Sequence, residues 1–274
     1  MDKSRSKYEY TLKKIENRII KNSEKQKLIN NITNLVFEIC KKNENVYSVF
    51  TAGSLSRGDF ILGVSDLDIF IVFKKERDEK EFLLMFRSKC QKDLKLYFAN
   101  TSHENWSYDI LSEFLPNIAT VENPNPLNKT ERGQLCFRAF DTKKCGKILY
   151  GEDILKDLII ENPKSIVIER IETLVKKYHQ KEDTIWKIMH IGDIIKAVQI
   201  YFGKATYDKR EVLKGFAKYV PDFQSKNFVF DFWDEYLESD YFTKNNKEKF
   251  MRKAEQFLIK LIEVVGQNTN NKLK

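Results

Sequence analysis

The sequence predicts an α+β protein: a small β-sheet with flanking helices, followed by an α-helical bundle. Three observations predict it. The run LDIFIVF at 67–73 is almost continuously apolar, rich in β-formers and too short for a typical helix, so it reads as a buried central strand. VYSVFTAG at 46–53 is a second run of β-branched and aromatic residues, ending at a glycine. From about Asp153 onward the apolar residues recur at helical spacing, with only short breaks.

Each element can be justified in chain order. Tyr8, Leu12, Ile15 and Ile19, then Leu28, Ile32, Leu35 and Ile39, mark two N-terminal helices with a break at Asn22-Ser23. After the strand at 46–53 and the central strand at 67–73, residues 78–99 form a helix. Its apolar face holds Phe82, Met85, Phe86, Leu94 and Phe98. Residues 107–111 are a further strand, NPNPLNKT at 123–130 is a loop on its Pro and Asn content, and 147–150 is a short strand before Gly151. Helices occupy 166–178, 185–202, 211–219, 230–237 and 247–265, and their short connections predict an antiparallel bundle. The segments are therefore 1–45 (helices packing on the sheet domain), 46–152 (the sheet domain), 153–265 (the bundle) and 266–274 (a polar, frayed tail).

Composition narrows the classes of function. The 274 residues are 42% hydrophobic with 20 Phe and 12 Tyr, which excludes a disordered chain, a collagen-like repeat and a disulfide scaffold. The N-terminus MDKSRSKYEYTLKK has no apolar stretch of a signal peptide, and no window approaches a membrane span. Cys40, Cys90, Cys136 and Cys145 are scattered, without a C-x-x-C, so neither zinc nor a disulfide framework is expected. A cytoplasmic protein with reduced thiols is the simplest reading, with no membrane partner. The net charge of +8 raises nucleic acid as a partner. Its distribution disfavours that: residues 1–45 hold 11 Lys/Arg against 6 Asp/Glu, the last nine residues hold two lysines, and 46–265 is close to neutral at +1.

The chemistry concentrates in GSLSRGDFILGVSDLDIFIVF, residues 53–73. Asp66 and Asp68 sit two apart at the start of the buried strand. Strand alternation puts them on one face and Leu67 and Ile69 on the other. Two neighbouring carboxylates in an apolar setting repel and are poorly solvated, and a divalent cation relieves that cost. Paired hard oxygen ligands suit Mg²⁺. Gly53 permits close backbone approach, Ser54 offers a hydroxyl and an N–H to a phosphate, and Arg57 is near enough to pair with phosphate oxygens.

An apolar strand, Gly53-Ser54, Asp66 twelve positions after Ser54, and Asp-x-Asp in a buried strand resembles the nucleotidyltransferase superfamily. That superfamily includes polymerase beta-type enzymes, tRNA CCA-adding enzymes and antibiotic nucleotidyltransferases. The resemblance covers 46–74 closely and implies a small mixed sheet, with 46–152 as the catalytic domain. It implies that Asp66 and Asp68 hold one or two Mg²⁺ ions and that a third carboxylate stands on a neighbouring strand. Asp109, 41 residues after Asp68 and beyond one helix, is the candidate, with Glu104 and Glu113 as fallbacks. The implied reaction is attack of an acceptor hydroxyl on the α-phosphate of ATP as co-substrate, with Asp109 as general base and metal ligand and with pyrophosphate released.

Residues 196–209, KAVQIYFGKATYDK, read as a helix, a turn at Gly203-Lys204 and a new helix start near Asp208. This looks like the bundle of the streptomycin/spectinomycin adenylyltransferases. The resemblance implies that Lys196 and Lys209 reach the ATP phosphates, although the family commonly has Arg at the first position, and that Tyr236 packs at the nucleotide. Glu182, Asp183 and Trp186 are by the same comparison acceptor-binding residues. Carboxylates there would suit a polycationic, aminoglycoside-like acceptor. The expected function is transfer of AMP to a hydroxyl of such a small molecule, an antibiotic-resistance type of activity. The alternatives are a transferase acting on RNA or on a protein side chain, as in toxin–antitoxin systems, and an inactive nucleotide-binding module. The residues fix neither the oligomeric state nor the nucleotide preference.

Overall fold

The computed structural model describes residues 3–62, 64–98, 108–118, 120–123, 134–160, 162–181, 184–220, 223–237 and 244–272. Two compact units make up the chain: residues 18–161 form one, and residues 1–17 with 162–274 form the other. The first N-terminal helix thus goes with the helical unit and the second with the sheet, whereas the sequence groups both in one segment over 1–45. The expected NPNPLNKT loop falls, from residue 124 on, outside the described residues.

The sheet unit is built on four strands, β1 (Val46–Thr51), β2 (Leu67–Phe73), β3 (Tyr108–Phe114) and β4 (Lys147–Gly151), in the order β3-β2-β1-β4. β1 is antiparallel to both β2 and β4, and β2 is parallel to β3. The parallel step needs a crossover, which the helix at Lys80–Phe98 supplies. The sheet is therefore mixed, as expected. β3 runs three residues further than the sequence predicts, because Ser112, Glu113 and Phe114 pair with Ile71, Val72 and Phe73 of a partner strand that continues that far.

Alternation along β2 sorts its side chains onto two cores. Leu67, Ile69, Ile71 and Phe73 pack with the helices at Asn22–Cys40 and Lys80–Phe98, against Leu28, Ile32, Val36, Phe86 and Leu94. Phe70 and Val72 pack on the other face with Phe50, Ala52, Ile154 and Leu158. Phe50 and Phe70 stack there at 5.1 Å between ring centroids. A helix that the sequence does not predict, Gln134–Cys145, precedes β4.

In chain order the ten helices of the described residues are α1 (Lys3–Arg18), α2 (Asn22–Cys40), α3 (Gly53–Arg57), α4 (Lys80–Phe98), α5 (Gln134–Cys145), α6 (Pro163–Gln180), α7 (Thr184–Phe202), α8 (Lys209–Tyr219), α9 (Phe223–Leu237) and α10 (Lys244–Lys272). Among them, none is long and apolar enough to cross a membrane.

In the helical unit, residues of α1 are fastened to α9. Tyr8 packs on Phe230, Lys7 pairs with Asp231 and Lys14 with Asp234. α10 continues through to Lys272, where the sequence predicts a tail from 266. Its inward face of Ala254, Phe257, Leu258 and Leu261 nucleates the helix, and each further residue adds one hydrogen bond to an existing turn.

The start of the sheet is pinned by a polar network. The Glu79 carboxylate accepts from Asn45 Nδ2 (2.8 Å), Asn43 Nδ2 (3.0 Å) and Arg77 Nε, and Asn45 Nδ2 also donates to the Lys75 carbonyl (3.0 Å). Burial alone would raise the Glu79 pKa, but these donors together with the Arg77 charge hold it below the ordinary carboxylate value. A folded-state pKa below the unfolded value of 4.5 gives stability that is complete above that value and is lost as pH falls through the folded pKa. Glu79→Gln should therefore flatten the acid limb: its melting temperature is expected to fall less steeply than the wild type's below pH about 4.5, as read by thermal unfolding from pH 7 to 3.

Candidate active site

The site begins where β1 ends. Thr51 Oγ1 (2.9 Å) and the Ala52 N–H (3.2 Å) both donate to the Asp68 carbonyl, which locks the exit of β1 against the start of β2. The next residue, Gly53, has φ +62°, in the left-handed region. Its Cα faces the Asp68 side chain so closely that a Cβ there would lie 1.7 Å from Asp68 Oδ2. Only glycine fits. The sequence predicts a turn after Gly53; the structure forms the single helical segment α3, closed by Gly58 at φ +95°.

Ser54, on the first turn of α3, is 4% exposed, and its Oγ is a buried hydroxyl with no hydrogen-bond partner among the described residues. A buried orphan of this kind costs free energy unless something fills its need. Asp68 is 4% exposed on β2, and Asp66 is half-buried just ahead of that strand. In the parallel ladder the Cα partner of Asp68 is Asp109, so β3 brings the backbone of the third expected carboxylate beside the second. No cluster of three His, Cys, Asp or Glu able to hold a metal is found among the described residues, which do not include the Asp109 side chain. Glu113 lies further along β3, where its Oε1 accepts from Asn117 Nδ2 (3.2 Å) and from the Phe114 N–H (3.0 Å). Glu104 lies outside the described residues.

Arg57 is placed differently from a free phosphate ligand. Its Nε donates to Asp59 Oδ1 (3.1 Å) and its Nη1 to Asp141 Oδ2 (2.6 Å). The Arg57 side chain is 13% exposed, that of Asp59 is fully buried and that of Asp141 is 9% exposed. Burial by itself would lower the guanidinium pKa, but the two carboxylates outweigh it and the pKa is raised, so Arg57 stays cationic. The sequence by itself does not single out Asp59 or Asp141. Asp141 sits on α5, and the helical spacing of Cys136, Ala139 and Phe140 in QLCFRAFDTKKC is the one short signal for that helix.

The remaining candidates belong to the helical unit. Lys196 on α7 donates to Asp193 Oδ1 (3.0 Å) and lies 6.0 Å from the Tyr207 ring centroid. Lys209 opens α8 and is 6% exposed; Asp208 caps the helix by accepting from the Arg210 and Glu211 N–H groups. Tyr236 on α9 stacks on Phe232 at 5.8 Å and meets the edge of Trp233 at 5.4 Å. Trp186 is in α7, and Glu182 and Asp183 lie outside the described residues.

Comparison with known proteins agrees with this geometry. A family model described as a nucleotidyltransferase domain matches residues 33–114, the stretch that holds β1, α3, β2, α4 and β3. The fold is similar to that of spectinomycin adenyltransferase AAD(9) from Enterococcus faecialis, solved with ATP and spectinomycin. The TM-score is 0.53 at 13% identity, over 86% of this chain and 98% of that one. None of the curated proteins compared matches the chain. Residues 33–114 thus carry a nucleotidyltransferase domain, and the chain as a whole shares the fold of the similar adenyltransferase structure.

The Gly53 contact can be tested without any assay of activity. Gly53→Ala must adopt a left-handed backbone, at about 1–2 kcal/mol, and must also displace the Asp68 carboxylate. A loss of stability of at least that size is expected in denaturant unfolding, with the secondary structure of the folded protein unchanged.

Proposed function

We propose that the chain transfers AMP, or another nucleoside monophosphate, from a nucleoside triphosphate to a hydroxyl of a small, cationic, aminoglycoside-like acceptor, with release of pyrophosphate. The observation that carries this reading is the packing of the Asp68 carboxylate over the bare Cα of Gly53, next to the unpartnered Ser54 hydroxyl. The first leaves no room for a side chain where a phosphate must approach. The second supplies a buried donor whose hydrogen bond a phosphate oxygen would complete.

The donor set also fits a divalent cation. Asp66 and Asp68 offer hard oxygen ligands two residues apart, and in this proposal Asp109 completes the set. Mg²⁺ bound there would neutralise charge on the phosphates and on the departing pyrophosphate. The chain's own residues have separate tasks. Gly53 and Ser54 orient the triphosphate. Asp109 takes the proton from the acceptor hydroxyl as its oxygen bonds to the α-phosphorus and the bond to the β-phosphate oxygen breaks. Lys196, Lys209 and Tyr236 are the proposed nucleotide contacts of the helical unit, and Glu182, Asp183 and Trp186 are its proposed acceptor contacts. That the similar protein AAD(9) was solved with ATP and spectinomycin supports this choice of donor and acceptor class. We place the protein in the cytoplasm, where ATP and reduced thiols coexist; Cys40, Cys90 and Cys145 are free thiols.

The test is pyrophosphate release from ATP and Mg²⁺ across a panel of aminoglycosides that includes streptomycin and spectinomycin. Product with one of them is expected. Asp66→Asn and Asp68→Asn should each lower turnover by roughly 10²–10³-fold or more while the melting temperature stays within a few degrees of the wild type. Full turnover in either variant, or silence across the panel with labelling of RNA instead, removes the proposal.

A further inference from the structure

The cluster around Arg57 is more than a local ion pair. Arg57 ends α3, the segment that starts with Gly53 and Ser54, and Asp141 sits on α5, 84 residues along the chain. The rest of the segment is tied to the same framework. The Gly58 and Asp59 N–H groups both donate to the Ser54 carbonyl, at 3.0 and 3.1 Å. Ser56 Oγ donates to the Thr51 carbonyl (3.0 Å), and Lys25 Nζ donates to the Ser56 carbonyl (3.2 Å). Burial and the nearby charge of Lys147 hold the Lys25 pKa below its ordinary value, and Asp59 opposes that shift. The Asp141 backbone is engaged too: the Cys145 thiol donates to its carbonyl at 2.9 Å.

We propose that Asp141, acting through Arg57, is a positioning residue that holds the Ser54 turn in the place where it meets phosphate. Arg57 serves as the strut between the two and not as a phosphate ligand. This rests on the nucleotidyl-transfer reading of Gly53, Ser54 and Asp68. A five-residue segment has too few internal hydrogen bonds to fix its own position. Its distal end must be held by something else, and the cation at that end, Arg57, reaches α5. Both Arg57 nitrogens that carry these bonds are committed to carboxylates, and a planar guanidinium held from two sides by carboxylates is rigid. A positional error of about 1 Å in a substrate-orienting group costs roughly 100-fold in rate.

The experiment compares wild type, Asp141→Asn and Asp141→Glu in the full chain. Asparagine keeps the size and loses the charge; glutamate keeps the charge. In ligand-free protein, amide exchange at Gly58 and Asp59 is expected to quicken roughly tenfold in Asp141→Asn and to return part of the way in Asp141→Glu, with exchange in α7 unchanged. With ATP, the KM for nucleotide should rise and kcat/KM should fall about 10–100-fold, while the acceptor KM stays put. Should Asp141→Asn fail to fold, Arg57→Lys carries the same comparison, because lysine keeps the charge but lacks the planar fork whose separate nitrogens reach Asp59 and Asp141.

Unchanged exchange at Gly58 and Asp59 overturns the proposal. So does tighter ATP binding in Asp141→Asn, the result expected if a released Arg57 reached the phosphates. If wild type neither binds nor turns over ATP, the reading of the site fails, and the exchange data still decide whether Asp141 holds the turn.

Discussion

The Asp68 carboxylate and the Cα of Gly53 share one small volume, and much of the sheet unit depends on that contact. The carbonyl of Asp68 holds Thr51 and Ala52, so β1 must end there. The left-handed Gly53 then turns the chain away from the sheet, and the bare Cα lets a charged side chain stand where the next residue's path begins. A carboxylate in an apolar strand with 4% of its surface exposed is a costly arrangement. It persists because the neighbouring strands over-determine it: β1 fixes the backbone on one side, and β3 pairs in register on the other.

How far the sequence reveals this depends on whether a feature is local. β2 is legible because seven consecutive buried residues write an apolar run, and that run in turn places Asp66 and Asp68. The C-terminal helices are legible because α6, α8, α9 and α10 carry apolar residues at helical spacing and α7 is a long, largely apolar run, and Asp208 announces the start of α8 by capping it. The Arg57 partnership is not legible in that way. Arg57 beside a glycine in a phosphate-type loop reads as a ligand for an anion. What it meets instead is Asp141, 84 residues away, on a helix whose pattern is short and mixed. Long-range charge pairing leaves no periodic trace, so the sequence shows that the cation is there but not what it faces.

The same limit explains the ends of the chain. Two N-terminal helices of similar length, one after the other, look like one segment, yet α1 and α2 are sorted into different units. The sorting is by their partners: Tyr8 and Lys7 against α9, Leu28, Ile32 and Val36 against the sheet. A polar stretch after 265 looks like a frayed tail, yet an established helix extends into it at little cost.

Ionic strength separates the two kinds of charge pairing in this protein. The pairs that seat α1 on α9 are partly exposed, Lys7–Asp231 at 37% and 28% and Lys14–Asp234 at 20% and 40% side-chain exposure, and added salt screens them within a Debye length of about 8–10 Å. The Arg57 cluster is largely buried, where salt screens charges much less. Salt therefore works as a dial on how firmly α1 is seated, while the turn bearing Ser54 keeps its setting from dilute buffer to brine.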